Sequence, residues 1–256
     1  MTDLAAAATR LRALHRPGDP LVLPNAWDAR SARLVVAAGF PVVATSSAAV
    51  AEALGFGDGD SMPPDEAFAA VARIAAAVPV PVTADLEAGY QLSPDEFVRR
   101  LLDAGAVGCN LEDSDHHGGG VLVPADEQAR RLSAVRAAAS AAGVDIVINA
   151  RIDAFIRQVG DLDAVVAETV RRGGLYVEAG ADCVFPIHLA DEDAIAAVVR
   201  DVGAPVNVTA RRGAPTIGRL AELGVARVSF GSGMATAAYG ALEEALARAQ
   251  TGSAGG

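Results

Sequence analysis

The sequence predicts a (β/α)8 barrel, and three observations carry that prediction. A short apolar run followed by a helical stretch recurs eight times along 256 residues. That length is about what one (β/α)8 unit takes. Reading only the carboxyl ends of the apolar runs collects Asn25, Ser46, Asp85 with Glu87, Glu112 with Asp113, Arg151 with Asp153, His188, Asn207, and Ser229 with Ser232. A parallel barrel builds its active site at that end, and the opposite ends show nothing comparable.

Taken in order, Thr2 to Arg12 reads as a helix ahead of the barrel. Strands are expected near 21–25, 42–46, 82–87, 107–112, 146–151, 183–187, 205–209 and 227–231. Helices are expected near 28–38, 65–77, 95–104, 126–142, 161–179, 191–201, 216–222 and 234–248, the fifth of them broken at Gly173-Gly174. Gly39, Gly105, Gly180 and Gly224 each stop a helix before a strand, because glycine accepts the left-handed turn after a last helical residue. Pro81 and Pro205 open two further strands, where the missing N–H is tolerated. Ser93-Pro94 and Asp161 are helix caps. Near-continuous apolar strands imply a parallel sheet covered by helices. A doubly wound open sheet is the competing architecture, but no Gly-rich dinucleotide turn follows any strand. Residues 1–250 are expected to form one barrel domain, with Thr251 to Gly256 a flexible, small and Gly/Ser-rich tail.

Composition narrows the function. Hydrophobic residues make up 52%, enough for a large core, and the net charge is −11. Nucleic acid and anionic membrane both require a basic patch, so neither is an expected partner. The 21 basic residues are all arginine. The absence of lysine excludes Schiff-base chemistry and a phosphate-loop lysine. Cys109 and Cys183 lie in apolar runs and read as core thiols of a reducing compartment, the cytoplasm. No run approaches a membrane span, and the amino terminus lacks a signal-peptide pattern.

The chemistry centres on V-P-V-P-V-T-A-D-L-E-A-G-Y, Val78 to Tyr90. A strand has period two, so Asp85 and Glu87 would leave it on the same side. Carboxylate oxygens suit Mg²⁺ or Mn²⁺; the alternative is a solvated strand end with two surface acids. Glu112, at the next strand end, adds a third carboxylate. Like charges raise one another's pKa, so three near one point call for a cation. Arg151 offers a planar fork for a substrate carboxylate, or else a partner for Asp153 or Glu112. His116 and His117 precede three glycines on a loop that could act as a lid, where they would serve as acid or base or stand solvated. His188 is either a pocket residue or a barrel-rim histidine. Trp27 is expected to pack on the first barrel helix.

The order of these pieces resembles the isocitrate lyase and phosphoenolpyruvate mutase superfamily, a TIM-barrel family. The matching stretches are P-N-A-W-D (Pro24 to Asp28), T-S-S with L-G-x-x-D (Thr45 to Asp58), T-A-D-L-E-A-G-Y (Thr83 to Tyr90), G-C-N-L-E-D (Gly108 to Asp113) and N-A-R-I-D-A (Asn149 to Ala154). The resemblance implies a Mg²⁺-dependent enzyme acting on 2-oxo acids or their 2-hydroxy precursors through an enolpyruvate-like species. It implies that Asp85 lies closest to the metal, with Glu87 and Glu112 holding its waters. Ser46, with the backbone N–H groups of Ser47 and Ala48, would grip the pyruvoyl end. Arg151 would meet the substrate carboxylate or leaving group, and Asp58 would be a pocket acid. Asn207 and His188 are further candidate substrate contacts. The last helix, Met234 to Ala247, would pack on a neighbouring subunit, giving dimers or tetramers.

The chain also departs from the family. Where isocitrate and methylisocitrate lyases carry K-K-C-G-H, this chain reads S-D-H-H-G-G-G-V-L-V-P (Ser114 to Pro124). Neither the protonating cysteine nor a gate lysine or asparagine is present, which rejects isocitrate lyase and counts against phosphoenolpyruvate mutase proper. Glu87 stands where many members carry Asp. The expected activity is therefore C–C lysis of a small 2-oxo or 2-hydroxy (di)carboxylate. The alternatives are oxaloacetate decarboxylation, P–C bond chemistry, or a non-catalytic barrel that binds metal or acids.

Overall fold

The computed structural model describes residues 3–157 and 160–250; the expected tail lies outside them. The chain begins with α1 (Leu4–Ala13), β1 (Leu21–Leu23), β2 (Asn25–Ala26), α2 (Ala29–Ala37), β3 (Val43–Thr45), α3 (Ser47–Leu54), α4 (Pro64–Ala75) and β4 (Val82–Asp85). It continues with α5 (Pro94–Asp103), β5 (Gly108–Glu112), β6 (Ser114–Asp115), β7 (Val121–Leu122), α6 (Ala125–Ala141), β8 (Val147–Ile152), α7 (Ala154–Arg157) and α8 (Leu162–Glu178). It closes with β9 (Cys183–Pro186), α9 (Glu192–Val202), β10 (Asn207–Thr209), α10 (Ile217–Glu222), β11 (Arg227–Ser229) and α11 (Gly233–Gln250).

The strands form the expected barrel. Six pair in parallel in the order β2-β3-β4-β5-β8-β9, and three more in the order β1-β11-β10. A parallel bridge from Val184 to Val206 joins the two groups on one side. On the other side β1 and β2 are two halves of one stave, separated by Pro24, which has no N–H to give the ladder. The lower half pairs with the last stave and the upper half with the second. Around the ring the eight staves are β1/β2, β3, β4, β5, β8, β9, β10 and β11.

Helices cover the outside through one buried face each, with Ile74, Leu101, Leu132, Ile195 and Leu220 among the core side chains. The expected break at Gly173-Gly174 does not occur, and α8 is continuous. Gly173 serves packing: a Cβ there would stand 3.0 Å from Val202 of α9. Three features went unforeseen: α3 directly after the second stave, the β6–β7 hairpin inside the gate loop, and the one-turn helix α7 after the fifth stave. Cys109 and Cys183 are buried and unpaired as expected, and burial pushes both thiols up to about 12.

Helix α1 closes the amino-terminal end of the barrel. Ala7, Ala8 and Leu11 pack with Leu21, Leu23, Val42, Val107 and Val147. Gly108 permits this approach, since a Cβ would lie 2.8 Å from the Leu11 side chain. Above it the barrel interior is polar. Asn149 donates to the side-chain oxygens of Asn110 (2.8 Å) and Asn207 (3.1 Å), and buried Arg227 donates to Asn110 (3.3 Å) and to His15 Nε2 (3.4 Å). His15 accepts at Nε2 because its Nδ1–H donates to Leu11 O at 2.9 Å.

Burial, and secondly the Arg227 charge, push His15 down to about 4 from 6.5. Folding therefore favours the neutral imidazole. Between pH 6.5 and 4 the unfolded chain takes up a proton that the folded one refuses, so stability falls with pH, by about 3 kcal/mol in full. His15→Gln keeps a donor for Leu11 and an acceptor for Arg227 but does not titrate. Its urea midpoint is expected to match the parent at pH 7.5 and exceed it at pH 4.5. Parallel pH curves for the two proteins would refute this role of His15.

Candidate active site

The carboxyl ends of the staves open into a cavity of about 490 Å3. Its wall includes Asn25, Ser46, Ser47, Ala48, Asp58, Asp85, Asn110, Arg151 and His188, so most of the residues selected from strand ends meet there. Asn25 ties the first stave to both neighbours at the rim: its amide donates to Thr45 O at 2.6 Å and accepts from Phe230 N–H at 2.8 Å.

Asp85 ends β4. One carboxylate oxygen accepts from Ser47 N–H (3.1 Å) and Ser47 Oγ (2.9 Å), and the other from Asn110 Nδ2 (3.2 Å). Ser46 is the N-cap of α3 and accepts from Ala49 N–H. The short helix α3 thus turns its first N–H groups toward the third stave, and a helix amino terminus favours an anion there. The Ser47 N–H expected for a substrate is engaged with Asp85.

Glu87 corrects the reading from strand period. The strand stops at Asp85, and Glu87 adopts a left-handed backbone at φ +52°, so the two acids are not alternate residues of one strand. Glu87 is buried and accepts from Tyr90 OH at 3.0 Å and from Asp60 N–H. Burial raises it to about 7, partly opposed by the Asp60 N–H. Asp58 is also raised, first by burial and then by the Asp85 charge.

Glu112, at the end of β5, receives Arg151 Nη1 at 2.5 Å and the His116 ring. Burial pushes it up to about 7 against the pull of Arg151. Arg151, from β8, also donates through Nε (2.7 Å) and Nη2 (3.1 Å) to both oxygens of Asp153. It is both a cavity residue and the partner of Glu112 and Asp153. Behind it, Asp113 accepts Asp153 N–H (2.9 Å), Tyr176 OH (2.7 Å) and Arg172 Nη1 (2.9 Å), all buried.

The two gate histidines separate. His116 leans on Glu112, and that bond holds its pKa above the usual value. His117 is half exposed, with Asp60 3.8 Å from its ring. His188 reaches the cavity wall from the end of β9, at φ +69°. Asn207 does not reach the cavity. It is fully buried beneath it, accepting from Asn149 and donating to Ser229 Oγ at 3.1 Å. Trp27 packs not only toward α2 but against the Tyr239 ring of α11, centroids 6.2 Å apart.

Among the described residues no three His, Cys, Asp or Glu side chains converge to hold a metal among themselves. A direct three-carboxylate cage therefore does not fit. The donor chemistry does fit a hard cation held by Asp85 with water in its other positions, since such ions keep several waters. Asp58, Asp60, Glu87 and Glu112 gather around Asp85, and Arg151 with His116 neutralises only Glu112 among them directly. Asp60 Oδ1 is buried with no hydrogen-bond partner.

Asp60 and Tyr90, which hold Glu87, were not foreseen, although Tyr90 ends one stretch already singled out and Asp60 stands two residues past another. Arg211 and Arg212, directly after β10, also line the cavity. A pair of adjacent arginines at a strand end was the available signal.

Comparison with known proteins agrees with this architecture. The solved structure named as a "putative phosphonomutase" from Burkholderia cenocepacia J2315 is 41% identical with TM-score 0.89, matching 94% of this chain and 98% of that one. A 2,3-dimethylmalate lyase structure superposes with TM-score 0.84 at 26% identity, over 96% of this chain and 85% of that one. The 2-methylisocitrate lyase of Bacillus subtilis (strain 168) is 30% identical over 194 residues; the match takes in 73% of this chain and 61% of that enzyme's length. The family model described as phosphoenolpyruvate phosphomutase matches residues 11–250, and the chain belongs to that family, within the isocitrate lyase and phosphoenolpyruvate mutase superfamily.

Proposed function

We propose that this chain is a divalent-metal-dependent lyase, with Mg²⁺ (or Mn²⁺) as the ion, cleaving a C–C bond of a small 2-oxo or 2-hydroxy carboxylate through an enolpyruvate-like species. The observation that carries the reading is Asp85, placed at the third stave's end on a cavity that also presents Ser46 to Ala48 and Arg151. Asp85 would hold the ion directly, with Glu87 and Glu112 acting through its waters. When bound, such an ion polarises an oxygen where negative charge develops. Arg151, fixed by Asp153 and Glu112, meets the same charge with donors that need no reorganisation. His116, whose pKa the Glu112 bond raises, supplies a proton at its ring to the departing carbanion. Asp58 completes the acid side of the pocket.

Decarboxylation of a 2-oxo dicarboxylate is the second reading. It needs no protonating cysteine, and the two cysteines of this chain are buried in the core.

A panel of 2-oxo and 2-hydroxy acids with Mg²⁺ tests both readings. Turnover should disappear with EDTA and return with Mg²⁺ or Mn²⁺. Arg151→Lys keeps the charge but not the fork, and should lose at least roughly tenfold in kcat/KM with the fold retained. No turnover of any acid, with oxalate affinity indifferent to Mg²⁺ and to Arg151→Lys, would leave a non-catalytic barrel.

We also infer that α11 packs on a second copy of the chain. Only Ala235 of this helix is buried, while Leu242 and Leu246, one turn apart, are 53% and 56% exposed. Sedimentation at micromolar concentration should show a dimer or tetramer that Leu242→Glu/Leu246→Glu dissociates; a monomeric parent would refute it. No helix among the described residues is long and apolar enough to cross a membrane.

A further inference from the structure

The cavity is electrically two-sided. Asp85 ends the third stave of eight, and Arg211 and Arg212 follow the seventh, four staves away and so diametrically across the ring. Asp58 and Asp85 line one side, and the two arginines with His188 line the other. Phe185, Ile187 and Ile156 form apolar wall on the same cavity.

The arginines of this mouth differ in how far they are committed. Arg151 gives one bond each from Nε, Nη1 and Nη2 to two carboxylates, which leaves two of its five N–H groups for the reacting end of a substrate. Arg211 makes one hydrogen bond, from Nη2 to the carbonyl of His188 at 2.9 Å. The left-handed backbone of His188 accompanies that contact at the end of the sixth stave. A carbonyl positions a guanidinium without neutralising it. Among the described residues no Asp or Glu forms an ion pair with Arg211 or Arg212. Two adjacent cations on a cavity wall, neither of them paired to an acid, in a chain of net charge −11, are an anion-binding arrangement.

We propose that Arg211 and Arg212 form a second anion subsite that selects 2-oxo or 2-hydroxy acids bearing a further carboxylate or phosphonate at the far end of the chain. The inference rests on the reading that the Asp85 side receives the 2-oxo or 2-hydroxy acid end. The substrate is then a dianion lying across the barrel mouth, its hydrocarbon middle on the apolar wall. A monocarboxylate would leave the arginine side to water.

Matched probes test this. 2-Oxobutyrate, oxaloacetate and phosphonopyruvate share one skeleton, ended by methyl, carboxylate or phosphonate. 2-Oxopentanoate and 2-oxoglutarate repeat the methyl–carboxylate comparison one carbon longer. Dissociation constants are measured by calorimetry on the parent and on Arg211→Gln/Arg212→Gln, with and without Mg²⁺. Both residues are exposed, so the substitutions leave the core intact.

The parent should bind a dianion at least roughly tenfold more tightly than its methyl counterpart at one chain length or both, the worth of one charge-assisted hydrogen bond. In the double variant that ratio should fall to about one, with oxalate and 2-oxobutyrate affinities unchanged. The stronger of the oxaloacetate and phosphonopyruvate ratios identifies the distal group. A parent without preference, a preference that survives in the variant, or an equal loss for every probe would each overturn the subsite. Failure of the metal reading shows separately, as oxalate affinity indifferent to Mg²⁺.

Discussion

Asp85→Asn is expected to lower kcat/KM by at least roughly 1000-fold, the loss of about 4 kcal/mol of charge stabilisation in a desolvated site. The amide keeps the shape of the carboxylate but not its charge. One side of it can still accept from Ser47 N–H or Oγ, while the other presents an NH2 group to the amide of Asn110. Folding stability should change little, because the substitution also removes a negative charge that acts on Asp58 and Glu112. Asp85→Ala is the harsher variant, since it leaves the Ser47 hydroxyl and Asn110 without their partner. Metal-binding calorimetry should show Mg²⁺ affinity lost together with turnover. An Asp85→Asn protein with activity within tenfold of the parent would place the ion, and the chemistry, elsewhere.

The barrel was legible because its signals are local and repeated. Glycine and proline punctuation located six of the eight staves, and strand-end polarity located the mouth. The errors came where side-chain direction depends on neighbours outside the strand. Glu87 was placed by strand period, yet the chain turns left-handed after Asp85, and Tyr90 with Asp60 N–H decides where its carboxylate rests. Asn207 was read at a strand end but lies below the cavity, because it is the first residue of β10, level with Arg227 and Leu21, and its amide joins Asn149 and Ser229. Helix α3 went unread although Ser46 caps it and Gly55 ends it, because the chain up to Asp58 was taken as the loop after the second strand. Arg211 and Arg212 went unread because the strand-end reading took Asn207 as the polar residue of the seventh stave. What recommends them is the missing acid partner, and that is a fact about space.

Arg172→Met is expected to cost about 3–5 kcal/mol of folding stability, the usual penalty for removing one partner of a buried ion pair. For a chain of this size each kcal/mol moves Tm by about 2–4 °C, so a fall on the order of 10 °C should be seen. The reason lies in Asp113, which is fully buried and shares one oxygen between Arg172 Nη1 and Tyr176 OH. Burial already raises its pKa, and Arg172 is among the groups that oppose the rise. Without the guanidinium the folded-state pKa climbs further above the unfolded value. A carboxyl raised in this way is most compatible with the fold when protonated. The deficit should therefore shrink as pH falls below the folded-state pKa and be complete above it. Asp113→Asn/Arg172→Met should recover part of the loss at neutral pH, since no buried charge then lacks its partner. The other oxygen of Asp113 holds Asp153 N–H, and Asp153 holds Arg151 through two bonds. Arg172→Met should consequently weaken oxalate binding even below its Tm, through Arg151 alone. Denaturation at several pH values with oxalate calorimetry checks both arms. A cost below about 1 kcal/mol would mean that Tyr176 and the backbone suffice to carry the Asp113 charge.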